Sequence, residues 1–362
     1  MYITLRISGK SIFTNMNRKD DLTMKQITLV AKETFEIKEV PMATYGPKQA
    51  LLKVKAVGIC GSDIHAYYGK HPFISFPVVQ GHEATGEVVE IGAEVKNLKV
   101  GDRVLLRPQK VCGKCRMCRE GRYNICKTLD VYGCQAPGAS ADYYAADEDL
   151  LYVLPDNVDY GVGTVIEPLA VGVGAVRRPG GVEGKNVLVI GAGTIGNVVM
   201  QSAKALGAKK VIISDVSDYK LAMARECGAD VTVNVKNENL EEILLREFGE
   251  DGLDICFECS ANGNALNQIL RCGRKGMQFV IVAVYGHKPE IEMGLVQDRE
   301  YEIYGTLMYL HEDYETAIRL VAEGKVNLQA LISKEYPLEQ VSEAYKYIEQ
   351  NRDAVQKVIL NV

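Results

Sequence analysis

The alternation of hydrophobic and polar positions changes rhythm along this chain. From Met24, the run MKQITLVAKETFEIKEV alternates apolar and polar residues at the period of half-buried strands. Between Gln49 and Lys110 the apolar stretches are short, ALLKVKAVGI, ATGEVVEIG and DRVLLRP, and are broken by Gly and Pro. This rhythm predicts an irregular, β-rich unit.

Beyond Lys185 apolar strands alternate with helical spacing. The predicted strands are NVLVI, VIISD, VTVNV, LDICFEC and MQFVIVAV, with EIYGTLM as a sixth. NVVMQSAKALG and NLEEILLREFG carry apolar residues at helical intervals between them. Six such strands within about 125 residues are the size of a doubly wound parallel sheet covered on both faces. From Glu312 onward, two helical segments and a final strand, KVILNV, are too little for a third core. The expected division is an extension at 1–23, a β-rich domain at 24–176 with a cysteine lobe at 108–130, a nucleotide-binding domain at 177–311, and a return to the first domain at 312–362. The cleft between the two domains is the expected ligand site.

Composition narrows the partners. With 42 Lys and Arg against 47 Asp and Glu, a net charge of −5 and no long basic tract, the chain is not expected to bind nucleic acid. No apolar run is long enough to suggest a membrane span, and the N-terminus lacks the apolar segment of a secretory signal. Four of the ten cysteines cluster between Cys112 and Cys126 in a metal-binding pattern, which favours reduced thiols and a cytoplasmic location.

The string GAGTIG, with Gly191, Gly193, Thr194, Ile195 and Gly196, follows the strand NVLVI and opens a helix. Gly191 permits a tight turn, Gly193 lets backbone approach a pyrophosphate, and Gly196 lets helix pack on strand. The helix N-terminus offers free N–H groups to phosphates. Asp215 ends the next strand, 24 residues after Gly191, where a carboxylate accepts from ribose hydroxyls and repels a 2′-phosphate. The expected cofactor is therefore NAD+/NADH rather than NADP. No P-loop string is present.

Two metal sites are expected. Cys112, Cys115, Cys118 and Cys126 form C-x2-C-x2-C-x7-C, a closed four-thiolate set suited to structural Zn2+. The bacterial iron–sulfur run begins alike but continues x3-C-P, which this chain does not. Cys134 lies just outside the pattern and is expected to pack rather than to ligate. The second set is dispersed: Cys60 in VGICGSDIH, His82 and Glu83 in QGHEATG, and Glu167 in VIEPLAVG. A thiolate, an imidazole and a carboxylate make a borderline-soft site that can leave one position open.

With ICGSDIH, VVQGHEATGEVVEIG, the cysteine lobe, VIEPLAVGVGA and GAGTIG in this order, the chain from about Met24 to Val362 resembles the zinc-containing medium-chain alcohol dehydrogenase family, in its sorbitol (L-iditol) dehydrogenase-like branch. The resemblance implies an α/β fold, with a GroES-like catalytic domain beside a Rossmann domain, and two Zn2+ per chain, one catalytic and one structural. It further implies that Cys60, His82 and Glu83 bind the catalytic zinc, while Glu167 orients water or a substrate hydroxyl or replaces Glu83 as ligand. Metal coordination would lower the pKa of an alcohol from about 16 towards 7. By the same resemblance Ser62 takes the substrate proton and His65 passes it to solvent, although Gly61-Ser62-Asp63 also reads as a turn. Tyr67, Met308 and Tyr309 fall where the branch contacts substrate. Animal sorbitol dehydrogenases carry an Arg-Tyr pair where this chain has Met308-Tyr309, and Tyr directly after the relay His where it has Ala66. Losing that Arg removes a fork of donors for outer hydroxyls and favours a smaller diol, a deoxy substrate or a cyclic polyol over sorbitol.

The expected reaction is hydride transfer from a secondary alcohol of a small polyol or diol to NAD+. The alternatives are an amino-alcohol oxidation of the L-threonine 3-dehydrogenase type and, outside enzymes, a zinc-stabilised module that senses NAD(H). Quinone and enoyl reductases of the same superfamily commonly lack these metal ligands. The strand EIYGTLM, if at a sheet edge, leaves groups open for pairing with a second copy, and the resemblance implies a homodimer or homotetramer.

Overall fold

The computed structural model describes residues 23–250 and 252–362. Of the extension expected at 1–23, only Thr23 falls among the described residues, where it opens a strand.

The alternating run from Met24 forms an antiparallel hairpin of Thr23–Ala31 and Thr34–Pro41. Beside it lies a seven-stranded sheet built around Gln49–Ile59, whose apolar residues are buried almost throughout. That strand pairs with Glu83–Ile91, with Tyr143–Asp147 and with the last strand of the described chain, Lys357–Asn361, all antiparallel. The tail thus crosses back after the whole second unit, and Ile332–Pro337 pairs parallel with Lys357–Asn361 at the sheet's edge.

Between these halves runs a six-stranded parallel sheet. Its spatial order is Val231–Asn234, Lys210–Asp215, Asn186–Ile190, Ile255–Glu258, Gln278–Ile281, Glu302–Gly305. The order reverses direction between Asn186–Ile190 and Ile255–Glu258, which leaves a crevice at their carboxyl ends. Separate apolar clusters cover the sheet's two faces: Val187, Val189, Ile213 and Phe257 on one, Leu188, Ile212, Cys256 and Phe279 on the other. Such two-sided burial is why the strands read as continuous apolar runs. All six expected strands are present, and EIYG occupies an edge.

A third cluster welds the two units. The helix Ile166–Arg177 buries Ile166, Leu169, Ala170 and Val173 against Ala56, Leu105 and Leu154 of the β-rich unit and Val198 of the nucleotide-fold unit. Tyr309 and Tyr314 complete it. The Arg177 guanidinium donates to both carboxylate oxygens of Asp313 (2.7 and 2.9 Å), tying this helix to His311–Ala322. Among the described residues no helix is long and apolar enough to cross a membrane.

Candidate functional site

Cys60, His82 and Glu83 converge from two places on the β-rich unit. Cys60 ends the strand Gln49–Ile59 and caps the short helix Gly61–Tyr67, while His82 and Glu83 lead into Glu83–Ile91. One ligand atom from each lies within 4.8 Å of the others. The string Gly61-Ser62-Asp63 forms the first helical turn rather than an isolated turn, because the Asp63 carboxylate accepts from the Cys60 N–H (2.9 Å) and caps the helix start. Ser62 is half-buried on that helix, and His65, exposed, stands three residues on along the same face.

His82 is buried, and its Nδ1 lies 3.7 Å from Asp63 Oδ1. Neither atom has another partner. Burial alone would push the His82 pKa down; the Asp63 carboxylate and the Cys60 and Cys134 thiols outweigh it and hold it well above the ordinary histidine range. In Asp63 burial wins and raises the carboxyl, against the pull of His82. A buried imidazole with a carboxylate behind it and a thiol and carboxylate in front is the arrangement a divalent cation requires of a histidine ligand, since the cation takes the place of the extra proton. Cys134, expected only to pack, lies against His82 and is thus part of this cluster's wall.

Glu83 is fully buried and shares its carboxylate with a residue that sequence reasoning missed. Lys357 Nζ donates to both Glu83 oxygens at 2.7 Å and to Ile59 O at 3.2 Å. Burial lowers the Lys357 pKa, but Glu83 and Cys60 outweigh it and keep the ammonium charged. Space for the carboxylate comes from Gly58, where a Cβ would sit 2.2 Å from Glu83 Oε2. The available signal was a lone lysine at the head of the apolar strand KVIL.

Glu167, in the first turn of Ile166–Arg177, lies outside the trio that meets the ligand-atom spacing. Burial pushes its pKa up to about 7, partly offset by His82. The Tyr309 hydroxyl donates to Glu167 Oε1 (2.7 Å), and burial raises that phenol well above its usual value. Tyr309 therefore reaches this carboxyl group from the loop after Glu302–Gly305, with Met308 just before it. Met308 has φ +49°, a left-handed conformation that costs a non-glycine residue about 1–2 kcal/mol. Tyr67, by contrast, stacks on Phe35 (5.4 Å between centroids) and packs on Tyr345 (4.7 Å), so its ring is spent on the core of the β-rich unit.

The four-cysteine lobe passes a direct geometric test for zinc. Zn–S bonds of about 2.3 Å at tetrahedral angles set sulfurs about 3.8 Å apart. The Sγ atoms of Cys115 and Cys118, and of Cys112 and Cys126, are 3.5 Å apart; Cys112 to Cys118 and Cys115 to Cys126 are 4.0 Å. Backbone N–H groups of Lys114 and Cys115 pull Cys112 down to about 6, whereas desolvation and the neighbouring thiols push Cys118 up to about 12.

The nucleotide cradle sits at the sheet's crevice. Gly191 has φ +94°, and a Cβ on Gly196 would lie 1.7 Å from Gly191 O, so both positions demand glycine. A Cβ on Gly193 would meet nothing within 4 Å, which leaves room for a ligand against the backbone. The helix Thr194–Ala205 starts there with no side-chain cap. Asp215 accepts from Ala192, Val216 and Ser217 N–H groups (2.7, 2.7 and 2.9 Å), which fix its carboxylate at the strand end. The Thr194 hydroxyl is committed to Gln356 O, and Ile195 packs on the sheet's cluster.

Comparison with known proteins agrees with this geometry. The family model for an alcohol dehydrogenase GroES-like domain matches residues 46–156, and that for a zinc-binding dehydrogenase matches residues 194–323. The chain is 31% identical to sorbitol dehydrogenase of Bacillus subtilis (strain 168) over 345 residues, 93% of this chain and 97% of that protein. It is 37% identical to D-arabitol-phosphate dehydrogenase of Enterococcus avium over 317 residues, 86% of this chain and 90% of that protein. The crystal structure of L-idonate 5-dehydrogenase from Escherichia coli superposes with a TM-score of 0.87 at 29% identity, covering 94% of this chain and 98% of that one.

Proposed function

Because this chain belongs to the zinc-binding medium-chain dehydrogenase family and clusters with its sorbitol and polyol dehydrogenase branch, we propose that it oxidises a secondary alcohol of a small polyol or diol with NAD+. The observation that carries this reading is the convergence of Cys60, His82 and Glu83 within 4.8 Å beside a Tyr309–Glu167 carboxyl pair. Bound there, zinc supplies a Lewis acid for the substrate oxygen.

The chain's own residues divide the remaining work. Asp63 orients His82; Lys357 neutralises Glu83; Tyr309 holds Glu167 ready to accept a hydrogen bond from a substrate hydroxyl or a water. Ser62 takes the substrate proton, and His65, at the exposed end of the same face, returns it to solvent. Gly191 and Gly196 shape the turn that lets the Gly193 backbone meet the pyrophosphate, and Asp215 takes the adenosine ribose. Cys112, Cys115, Cys118 and Cys126 hold a structural zinc. Met308, apolar and adaptable, replaces a fork of donors, which favours a diol, a deoxy substrate or a cyclic polyol. The same reading divides the chain at 24–176, 177–311 and 312–362, as the motifs suggest. Its ten unpaired cysteines suit a reducing cytoplasm, and the exposed edge strand Glu302–Gly305 suits pairing with a second copy.

The test follows NADH absorbance across xylitol, sorbitol, inositols, 2,3-butanediol, polyol phosphates and threonine, with NADP+ in parallel. Polyol phosphates are included because one relative is named for such a substrate. Cys60→Ser should abolish turnover while sparing NAD+ binding. A zinc-replete protein inactive on the whole panel, yet binding NADH, would leave a cofactor-sensing module as the better account.

A further inference from the structure

The loop that carries Met308 and Tyr309 is held from the outside, and its holders come from the four-cysteine lobe and its stem. Asn124 Nδ2 donates to Leu307 O (2.8 Å), and the neighbouring Tyr123 hydroxyl accepts from His311 N–H. Both residues lie in the single turn Tyr123–Ile125 that leads directly into Cys126. Just upstream of the lobe, buried Gln109 donates to Tyr309 O (2.8 Å). The Arg107 guanidinium fixes Gln109 in turn by donating to its Oε1 (3.0 Å). Successive polar groups of the strap, at 307, 309 and 311, are thereby fastened on both sides of Met308.

The fastening has something to oppose. Met308 stands at φ +49°, a conformation an L-residue leaves when its neighbours permit. Tyr309, one position on, points its hydroxyl at Glu167 (2.7 Å). A strap free to relax at Met308 would rotate the Tyr309 hydroxyl away from that carboxyl group.

We propose that the four-cysteine lobe is a positioning device for the substrate strap, with Asn124 and Gln109 as positioning residues that hold Met308 strained and Tyr309 aimed at Glu167. Filling the four-thiolate site therefore shapes the substrate site through hydrogen bonds within one chain, in addition to stabilising the lobe. This inference rests on the reading of Met308, Tyr309 and Glu167 as substrate-facing.

The test uses Asn124→Ala and Asn124→Asp in the full zinc-replete protein, with Cys115→Ser as a lobe variant. Asp keeps the shape of Asn but turns the donor into an acceptor that repels Leu307 O, so Asn124→Asp should loosen the strap at least as much as Asn124→Ala. Hydrogen exchange read by mass spectrometry should quicken in residues 305–311 and not across the nucleotide-fold sheet. KM for the alcohol should rise about tenfold, the worth of one hydrogen bond, with kcat and NAD+ affinity within about twofold. Cys115→Ser should show the same local exchange signature; should it fail to fold, the Asn124 pair still decides. Wild-type exchange at 305–311 in both Asn124 variants, or acceleration spread evenly over the chain, overturns the proposal. Quickened exchange confined to the strap, in a protein that oxidises no alcohol, upholds the latch and sinks the dehydrogenase reading instead.

Discussion

Replacing Lys357 with Met removes a buried ammonium and leaves the Glu83 carboxylate, fully buried, without the two 2.7 Å bonds that neutralise it. Breaking one side of a buried ion pair costs about 3–5 kcal/mol, chiefly from the charge left behind. With an unfolding entropy of about 2.1 cal/mol/K per residue, a 362-residue chain would lose about 5 °C in Tm for a 4 kcal/mol change if it unfolds as one unit. That cost should depend on metal. A cation held by Cys60, His82 and Glu83 offers the orphaned carboxylate a new counter-charge, so the zinc-loaded protein should suffer less. The decisive comparison is a double-mutant cycle: Lys357→Met alone, and in a Cys60→Ala background whose trio lacks its thiolate, each melted with zinc present. The substitution should cost at least 2 kcal/mol, in order-of-magnitude terms, more in the Cys60→Ala background. Equal costs in both would refute the idea that Lys357 and the metal share Glu83.

Further outcomes follow from other parts of the site. Glu167, raised to about 7 by burial, keeps its proton in the folded state after the unfolded chain has lost it near 4.5, so the folded state binds more protons in that window. In Cys60→Ala, stability should therefore fall as pH rises from about 4.5 to 7; urea midpoints at pH 5 and 8 should show the fall, and adding Glu167→Gln should reduce it. Asp215→Ala should weaken NAD+ binding about tenfold and narrow the preference over NADP+, measured by fluorescence of the bound reduced cofactors. Ala261 holds φ +56°, where relief of about 1–2 kcal/mol of strain outweighs the about 0.4–1 kcal/mol cost of a freer unfolded chain, so Ala261→Gly should raise Tm slightly in a thermal melt.

The legible parts of this protein are those in which one physical demand acts on contiguous residues. Burial on two faces wrote the six parallel strands as apolar runs, and the turn at Gly191 with its close neighbour Gly196 wrote the nucleotide loop as glycines. Four thiols within fifteen positions marked a candidate metal site unaided. The dispersed site was only half legible. Cys60, His82 and Glu83 stood out by residue type, but Lys357 pairs with Glu83 across 274 positions, and no local pattern encodes a contact made by sheet pairing. Tyr67 shows the opposite limit: its position two residues after His65 says nothing of the rings of Phe35 and Tyr345 that pack around it. The hold of Gln109 and Asn124 on the strap was likewise invisible, because both grip backbone carbonyls and so leave no mark on the sequence they recognise.

The strand Lys357–Asn361 sits beside Gln49–Ile59, with Val358 opposite Ile59. On a ribosome adding about 5–20 residues per second, the roughly 300 intervening residues take about 15–60 s to arrive. The nascent first domain therefore waits with an unsealed sheet edge, and with the Glu83 carboxylate made long before its lysine. The parallel sheet between 186 and 305 can meanwhile close on itself, since all six of its strands emerge together. Synthesis thus delivers the six strands of the parallel sheet first and the counter-charge of Glu83 last, and a ribosome stalled or a chain clipped shortly before position 357 would yield a molecule able to pair that sheet but not to neutralise the Glu83 carboxylate.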